Sequence, residues 1–256
     1  MDGLIQHPVL LFLVMLVLLS MSTWVGVRLL TSLQAQIAEM REDIRAIEGV
    51  TLTLLALLIG FTFSMAVGRY DQRKNLEEAE ANAIGTEFVR ADLLPAAEAA
   101  RVKAMLVKYT ELRIRFYTTH DETELERIDA DTARAQGELW RTVLGPASAQ
   151  PNPLMALVLA GMNDVLNSQG YTHAAWLNRI PLTAWVLMIL IAIGATMLVG
   201  AAATSAKALP RVLFVLPLVL SVAFFLIADI DSPRRGLIAV TPQNLLILAE
   251  SLRAAP

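Results

Sequence analysis

Residues 50–68 read VTLTLLALLIGFTFSMAVG, and residues 69–90 continue without a break as RYDQRKNLEEAEANAIGTEFVR. The first stretch holds no charged residue, whereas the second mixes acidic and basic side chains at helical spacing. An uninterrupted run of about 20 apolar residues is long enough to cross a bilayer as a helix. Together the two stretches predict a membrane-spanning helix that leaves the bilayer at Arg69 and runs on as a polar helix.

The composition of the whole chain also indicates a membrane protein. Of its 256 residues, 55% are hydrophobic and 18% are charged, and the mean hydropathy is +0.54. Soluble domains average about 45–50% apolar and about 25% charged residues. The net charge of −3 provides no basic footprint for DNA or RNA, so we expect no nucleic-acid partner. The chain has no cysteine, which excludes disulfides, thiol catalysis and thiolate-bound metals.

Three further apolar runs are long enough to span a membrane, at residues 8–27, 182–199 and 212–228. The first is longer than the core of a signal peptide and has no basic residue before it, so we interpret it as a retained span. Residues 31–48 form an amphipathic stretch that we expect to end at Gly49. This stretch is predicted to lie along the membrane interface, with a short coiled-coil contact as the alternative.

The polar region between the second and third spans reads as helical throughout. Asp121 with Glu124 resembles a capping box that starts one helix, and Gly145-Pro146 is expected to end it. Residues 154–166 are apolar on nearly every face and predict a buried helix. Period-two alternation, the signal of a half-buried strand, is not apparent.

These patterns predict an all-α integral membrane protein with four transmembrane helices and a helical soluble bundle inserted between spans two and three. The expected domains are a first transmembrane pair with its interfacial helix, the soluble helical domain, a second transmembrane pair and a C-terminal arm, at residues 1–68, 69–180, 181–229 and 230–256. A small excess of basic residues near the span ends favours a cytoplasmic location for both termini and the soluble domain.

Two stripes run along residues 50–68. Small side chains that allow a second helix to approach closely recur at four-residue spacing, at Ala56, Gly60, Ser64 and Gly68. Bulky side chains form an adjacent stripe, at Leu55, Ile59, Phe63 and Val67. A packed helix face and the lining of a narrow pore explain the bulky stripe equally well.

The polar stretch that follows has two interpretations. It can be an ordinary membrane-exit helix with surface ion pairs worth ~0.3–0.5 kcal/mol each. Alternatively, several copies of it can form a polar ring at the mouth of a pore. The candidate mouth residues are Arg69, Asp71, Arg73, Asn75, Asn82 and Thr86.

Signs of enzymatic or ion-coupled chemistry are lacking. The interiors of the four spans hold no Asp, Glu, Lys, Arg or His, which argues against a proton relay or ion-coupled carrier but not against a passive pore. Nucleotide-binding, metalloprotease and hydrolase motifs are absent. The three histidines are scattered, and the acidic stretch 121–131 lacks the glycine of an EF-hand. We therefore expect no catalytic residue, no metal site, no cofactor and no enzyme activity.

Four blocks of the sequence resemble the bestrophin-like family of bacterial membrane proteins. They are GFTFS at 60–64, RYDQR at 69–73, EANAIGT at 80–86 and RADLLP at 90–95. The tail DIDSP at 229–233, followed by Gly236, is also similar to that family. Bestrophins themselves, to which this family is remotely related, are pentameric ion channels with a hydrophobic neck on the second span.

The resemblance implies a homo-oligomeric passive ion channel in the bacterial inner membrane, with an anion such as chloride as the conducted ion. Its implied partners are the lipid bilayer, further copies of the chain in a ring of five, and small inorganic ions. The positions that match the neck are Ile59, Phe63 and Val67. The alternative is a non-conducting, membrane-anchored helical scaffold or signalling module.

Two departures from the bestrophin pattern limit what the resemblance implies. Lys74 and Asn75 stand where bestrophins carry a tryptophan pair. Of the carboxylate cluster that binds calcium in animal bestrophins, only Asp229 and Asp231 remain. We therefore do not expect gating by calcium.

Overall fold

The computed structural model describes residues 5, 7–32, 41–202 and 210–254. Its helices are α1 (Pro8–Ser32), α2 (Arg41–Arg90), α3 (Ala96–Thr118), α4 (Glu122–Ala149), α5 (Pro153–Leu177), α6 (Leu182–Ala202), α7 (Pro210–Asp231) and α8 (Gln243–Ala254). A 3-10 turn, Ala91–Leu93, follows α2. No strand occurs among the described residues, so the all-α prediction is confirmed.

Four helical segments are long and apolar enough to cross a membrane: Pro8–Leu29, Glu42–Leu93, Pro153–Ala202 and Leu213–Asp231. The first three contain the predicted runs 8–27, 50–68 and 182–199, and the fourth overlaps the run 212–228, so the prediction of four spans is confirmed. Helix α2 is 50 residues long, and its apolar run passes into its polar run without an interruption.

The prediction that a separate helix ends at Gly49 is wrong. Helix α2 begins at Arg41 and passes through Gly49, which costs about 1 kcal/mol relative to alanine but does not break a helix. Residues 33–40 of the predicted interfacial segment lie outside the described residues. The contact of that segment with lipid or with a partner stays a prediction.

Helix α4 begins where the sequence predicted and ends later. The Asp121 side chain accepts a 2.9 Å hydrogen bond from the amide of Thr123, as an N-cap should. The predicted end at Gly145-Pro146 is wrong, because α4 includes Pro146 in its last turn and continues to Ala149. Helix α5 then starts at Pro153, a position where the missing proline N–H costs nothing. It extends to Leu177, beyond the predicted 154–166.

The chain divides into two compact units. The membrane unit comprises Met1–Gly68 and Arg179–Ala239, and the bundle unit comprises Arg69–Asn178 and Val240–Pro256. The boundary inside α2 lies between Gly68 and Arg69. Helix α8, close to the C-terminus, belongs to the bundle unit.

In the membrane unit, α1 and α6 pack with their backbones in direct contact. A Cβ atom at Gly26 would overlap the carbonyl oxygen of Met197, and one at Gly200 would overlap the carbonyl oxygen of Thr23. The hydroxyl of Ser22 also donates a 2.7 Å hydrogen bond to a backbone carbonyl of α6. Small residues and interhelical hydrogen bonds hold helices together in lipid, because the hydrophobic effect does not drive helices to associate there.

The core of the bundle unit lies among α3, α4 and α5. The bundle part of α2, the 3-10 turn and α8 contribute further side chains to it. An aromatic group closes one end of it: the ring of Trp176 lies 5.2 Å from Phe116 and 5.4 Å from Tyr117, edge to face in both pairs. Edge-to-face pairs add about 0.5–1.5 kcal/mol each beyond the area they bury.

We expect Gly200→Ala to destabilise the protein, because the new methyl group must push α1 and α6 apart. Overpacking of this kind costs about 1–3 kcal/mol. The matched control is Gly194→Ala in the same helix, where an added Cβ meets nothing within 4 Å. Thermal unfolding of the purified protein in detergent is the measurement. Equal unfolding midpoints for the two variants would contradict the backbone contact.

Candidate functional site

One face of the bundle part of α2 carries charged residues that are buried. Arg73 and Glu77 are each 1% exposed, and Glu80 and Glu87 are fully buried. They follow one another at intervals of four, three and seven residues, which places them on one side of a helix. A buried charge is tolerated when it is paired and hydrogen-bonded, so the partners of this face decide how α2 is held.

Arg73 caps the C-terminus of α5. Its Nε donates to the carbonyl of Ala175 at 3.2 Å, and its Nη2 donates to the carbonyl of Asn178 at 3.1 Å. The last carbonyls of a helix lack partners within the helix and carry its negative dipole end. A guanidinium at this position satisfies both the hydrogen bonds and the charge.

Glu77 caps the opposite kind of helix end. Its Oε1 accepts a 2.9 Å hydrogen bond from the amide of Leu245, and its Oε2 accepts a 2.6 Å bond from the side-chain amide of Asn244. Both residues lie in the first turn of α8. A carboxylate is favourable there because the free N–H groups and the positive end of the helix dipole point at it. Glu77 therefore ties the last helix of the chain to α2.

Glu80 occupies the centre of the buried face. It forms an ion pair with Arg113 of α3, whose side chain is also fully buried. Its Oε2 accepts hydrogen bonds of 3.2 Å from the hydroxyls of Tyr117 and Thr172. Burial, reinforced by the Glu80 carboxylate, raises the pKa of Tyr117 above its ordinary value, so the phenol keeps its proton and donates. The Arg113 guanidinium also lies 4.5 Å from the centre of the Phe116 ring.

The opposite face of this part of α2 is open. Four of the six predicted mouth residues are exposed, namely Asp71, Asn75, Asn82 and Thr86. Arg69 is half-buried. Asn82 and Thr86 also line a groove of about 440 Å³ against α8. The exposed residues share a face on which polar side chains meet solvent or another molecule.

Arg73 lies apart from the four exposed mouth residues, and its part in a pore mouth stays a prediction. Its guanidinium points into the bundle unit and binds the end of α5, so it does not lie on the open face. The sequence places Arg73 two residues from Asp71 and cannot show which of them faces inward. Glu77 and Glu80, by contrast, were not singled out as functional, because their partners are 33 to 168 residues away in the chain.

In the apolar part of α2, the buried face consists of Leu55, Thr62 and Ala66. The small-residue stripe is exposed at all four positions, Ala56, Gly60, Ser64 and Gly68. A Cβ atom at Gly60 or Gly68 would meet nothing within 4 Å. The small stripe therefore faces away from the packing inside a single chain.

The predicted neck residues lie beside that stripe. Phe63 is 40% exposed, and Ile59 and Val67 are half-buried. The phenyl ring of Phe63 is thus available to lipid or to a second copy of the chain.

The two acidic residues of the tail stabilise a turn. Asp229 accepts hydrogen bonds from the amides of Leu237 at 2.6 Å and Ile238 at 2.9 Å, and Asp231 accepts one from the amide of Ile180 at 3.1 Å. A Cβ atom at Gly236 would overlap the carbonyl oxygen of Asp229, so the turn needs glycine there. Among the described residues, no group of three or more His, Cys, Asp or Glu side chains could hold a metal ion.

Four apolar segments, the second of which continues as a polar helix of the bundle, define a multi-pass, all-helical membrane protein. A family model described as the bestrophin-like domain matches residues 11–245. The chain belongs to the bestrophin-like family, and the resemblance seen in its sequence blocks is confirmed.

Solved structures show the same fold. The chain matches the crystal structure of a bacterial bestrophin homologue from Klebsiella pneumoniae with a TM-score of 0.64 and 15% identity, over 93% of this chain and 98% of that chain. A single-substitution variant of that homologue matches with a TM-score of 0.65 and 16% identity, over 93% of this chain and 99% of that chain. A comparison with curated proteins finds no match. At such low identity, the structural similarity shows the fold alone.

We expect Glu80→Gln to destabilise the protein strongly, because it leaves the Arg113 guanidinium buried without its counter-charge. Removing one partner of a buried ion pair costs about 3–5 kcal/mol. The matched control is Glu78→Gln, an exposed carboxylate on the same helix. The double variant Glu80→Leu with Arg113→Met should recover part of the loss, since it removes both charges. Thermal unfolding checks all three, and a Glu80→Gln midpoint equal to that of Glu78→Gln would contradict the role of the pair.

Proposed function

We propose that this chain is a subunit of a homo-oligomeric, passive ion channel whose conduction path follows α2. The observation that carries the proposal is the exposed small-residue stripe, which packs against no other helix in the part of the chain that the structure describes. In lipid, such a stripe is suited to close contact with another helix. Family membership supports the same function, because bestrophins are ion channels.

The spacing along α2 supports a single outward side for this helix. At about 100° per residue, the small stripe and the four exposed mouth residues fall within an arc of about 120°. The buried residues of α2 fall within a separate arc of about 120° on the other side, at Leu55, Thr62, Ala66, Arg73, Glu77, Glu80, Ala81, Ile84 and Glu87. One side of the helix thus serves packing within the chain, and the other is free for assembly and conduction.

In this proposal, Ile59, Phe63 and Val67 form a hydrophobic neck, and Asp71, Asn75, Asn82 and Thr86 line the mouth. A neck of this kind controls flow by excluding water rather than by binding ions. The apolar run 50–68 contains no ionisable side chain, in keeping with passive flow. By resemblance to bestrophins, the ring has five copies, conducts an anion, and lies in the bacterial inner membrane with the bundle in the cytoplasm.

A non-conducting scaffold is the second candidate, and one observation favours it. Two neighbouring helices of the bundle unit expose large apolar side chains, with Val89 at 67% and Ile247 at 59%. Exposed apolar side chains of this size are suited to binding a protein partner. The two candidates differ in whether the membrane helices meet around a shared axis.

We expect native mass spectrometry of the purified complex to give one closed assembly, with five copies as the expected number. A shared axis requires a ring, because the proposed path is formed by α2 from several chains. The measurement should be made in mild detergent and repeated in nanodiscs. A monomer under both conditions would contradict the channel and favour the scaffold.

We expect Phe63→Ala to raise the anion flux of proteoliposomes, because it removes the bulkiest side chain of the neck. The matched control is Met65→Ala, since Met65 is as exposed as Phe63 but lies about 200° around the helix, outside the arc of the small stripe and the mouth residues. This control should leave the flux unchanged. If neither the unaltered protein nor Phe63→Ala conducts, and Phe63→Ala only lowers the unfolding temperature, the neck is refuted.

A further inference from the structure

Glu87 differs from the other buried charges of α2 because none of the described residues hydrogen-bonds to its carboxyl group. It is fully buried, and neither of its carboxyl oxygens has a hydrogen-bond partner among the described residues. Arg73, Glu77 and Glu80 on the same face all have such partners. An ionised carboxylate in this situation would be costly, so the position calls for an explanation.

The carboxyl group of Glu87 lies in a space made by a glycine of α5. A Cβ atom at Gly161 would overlap both Oε2 of Glu87 and Nη1 of Arg90. The last turn of α2 therefore packs onto the backbone of α5 through two polar side chains. Any residue other than glycine at 161 would force them out.

Three charged groups determine the electrostatics at this contact. Arg90, on α2 itself, favours the ionised form of Glu87, and Asp164, on α5, disfavours it. In the 3-10 turn that follows α2, Asp92 forms an ion pair with Lys103, with 2.5 Å between Oδ1 and Nζ. Arg90 lies close to Glu87 yet does not hydrogen-bond to it, so its effect is through space.

Burial outweighs the effect of Arg90. Loss of solvation raises the pKa of Glu87 from its ordinary 4.5 to about 8, with Arg90 opposing and Asp164 adding to the rise. The residue lies well outside the apolar run, about 28 Å along the helix from Gly68 at ~1.5 Å per residue. At neutral pH the folded protein thus holds a proton that the unfolded chain would release.

We propose that Glu87 is a proton-binding site whose occupancy controls how the last turn of α2 is seated on α5. As a neutral carboxylic acid, Glu87 fits the buried contact over Gly161. Loss of the proton leaves a buried carboxylate that must recruit water or swing away, and the contact loosens. The proton transfer is to solvent, and no other reactant is needed. The contact does not depend on conduction, whereas an effect of the proton on ion flux rests also on the proposed function.

The sign of the pH dependence follows from linkage. Between pH 4.5 and about 8 the closed contact binds more protons than the opened one, so its stability falls as the pH rises through this window. Below pH 4.5, the proton on Glu87 makes its full contribution to the stability of the closed contact. Above about pH 8, that contribution is lost and the stability stops falling. For one proton, the opening constant changes by at most about tenfold per pH unit.

Hydrogen exchange of the full-length protein in detergent, followed by mass spectrometry, tests the proposal. The peptides to follow cover residues 153–165 of α5, at pH 6, 7, 8 and 9, with the intrinsic pH dependence of exchange removed. We expect the opening constant to rise about tenfold from pH 6 to 7 and about fivefold from pH 7 to 8, and then to level off. Glu87→Gln, which mimics the neutral acid, should abolish the dependence. Glu78→Gln, an exposed control on the same helix, should preserve it.

Two neighbouring substitutions give opposite expectations. Arg90→Gln should move the levelling-off to higher pH, because a charge that favours the carboxylate is lost. Asp164→Asn should move it to lower pH. Infrared spectroscopy should detect a protonated carboxyl group at pH 7 that is missing in Glu87→Gln.

The proposal is overturned if the opening constant does not change with pH, or if Glu87→Gln retains the change. It is equally overturned if the protonated carboxyl absorption is absent at pH 6 in the unaltered protein. Should Glu87→Gln fail to fold, the infrared spectrum of the unaltered protein and the shift in Asp164→Asn still decide the matter. Flux in proteoliposomes is measured separately, so an inert channel leaves the result on the contact unaffected.

Discussion

The cost of burying charge governs the arrangement of α2. Arg73, Glu77 and Glu80 lie on the inner face of α2. The helix can pack there only if each of these charges meets a hydrogen-bonding or oppositely charged partner. The end of α5, the start of α8 and Arg113 of α3 supply these partners. Removing one partner of the Glu80–Arg113 pair alone would cost about 3–5 kcal/mol, a large part of the stability of an ordinary domain. The rotation of α2 about its own axis is therefore set by electrostatics as much as by apolar packing.

A helix held in one rotation also presents one fixed outer face. For α2 that face carries small residues in its apolar part and polar or charged residues in its bundle part. A helix that lines a path for ions needs this property, because a small rotation would exchange the lining for a different set of side chains. The helix ends used as partners make the constraint directional, since Arg73 meets a C-terminus and Glu77 an N-terminus. Exchanging the two charges would place each against the wrong end of a dipole.

The membrane unit is held together by different means. Gly26 and Gly200 let α1 and α6 approach until their backbones touch, and dispersion contacts then replace the hydrophobic effect. Gly161 in the bundle unit also allows a close approach, but there the space is filled by Glu87 and Arg90. The same residue type thus serves tight packing in one unit and admits a titratable group in the other.

Local sequence patterns were enough to predict the helical class, the four spans and the N-cap at Asp121, and they show the change from apolar to polar residues at Arg69. These features depend on local composition and on periodicities of a few residues, which a single chain displays directly. The same patterns misjudged the helix ends at Gly49 and at Gly145-Pro146, because one or two unfavourable residues are outweighed by packing along the rest of a helix.

Long-range contacts in the fold, which local patterns do not reveal, turn Arg73 inward, join Glu77 and Glu80 to other helices of the bundle, and let Asp229 and Asp231 stabilise a turn. Their partners lie between 8 and 168 residues away, and spacing along a chain carries no information about such pairs. Composition and periodicity are local, whereas the pairing of a buried charge depends on which distant group the fold brings to it.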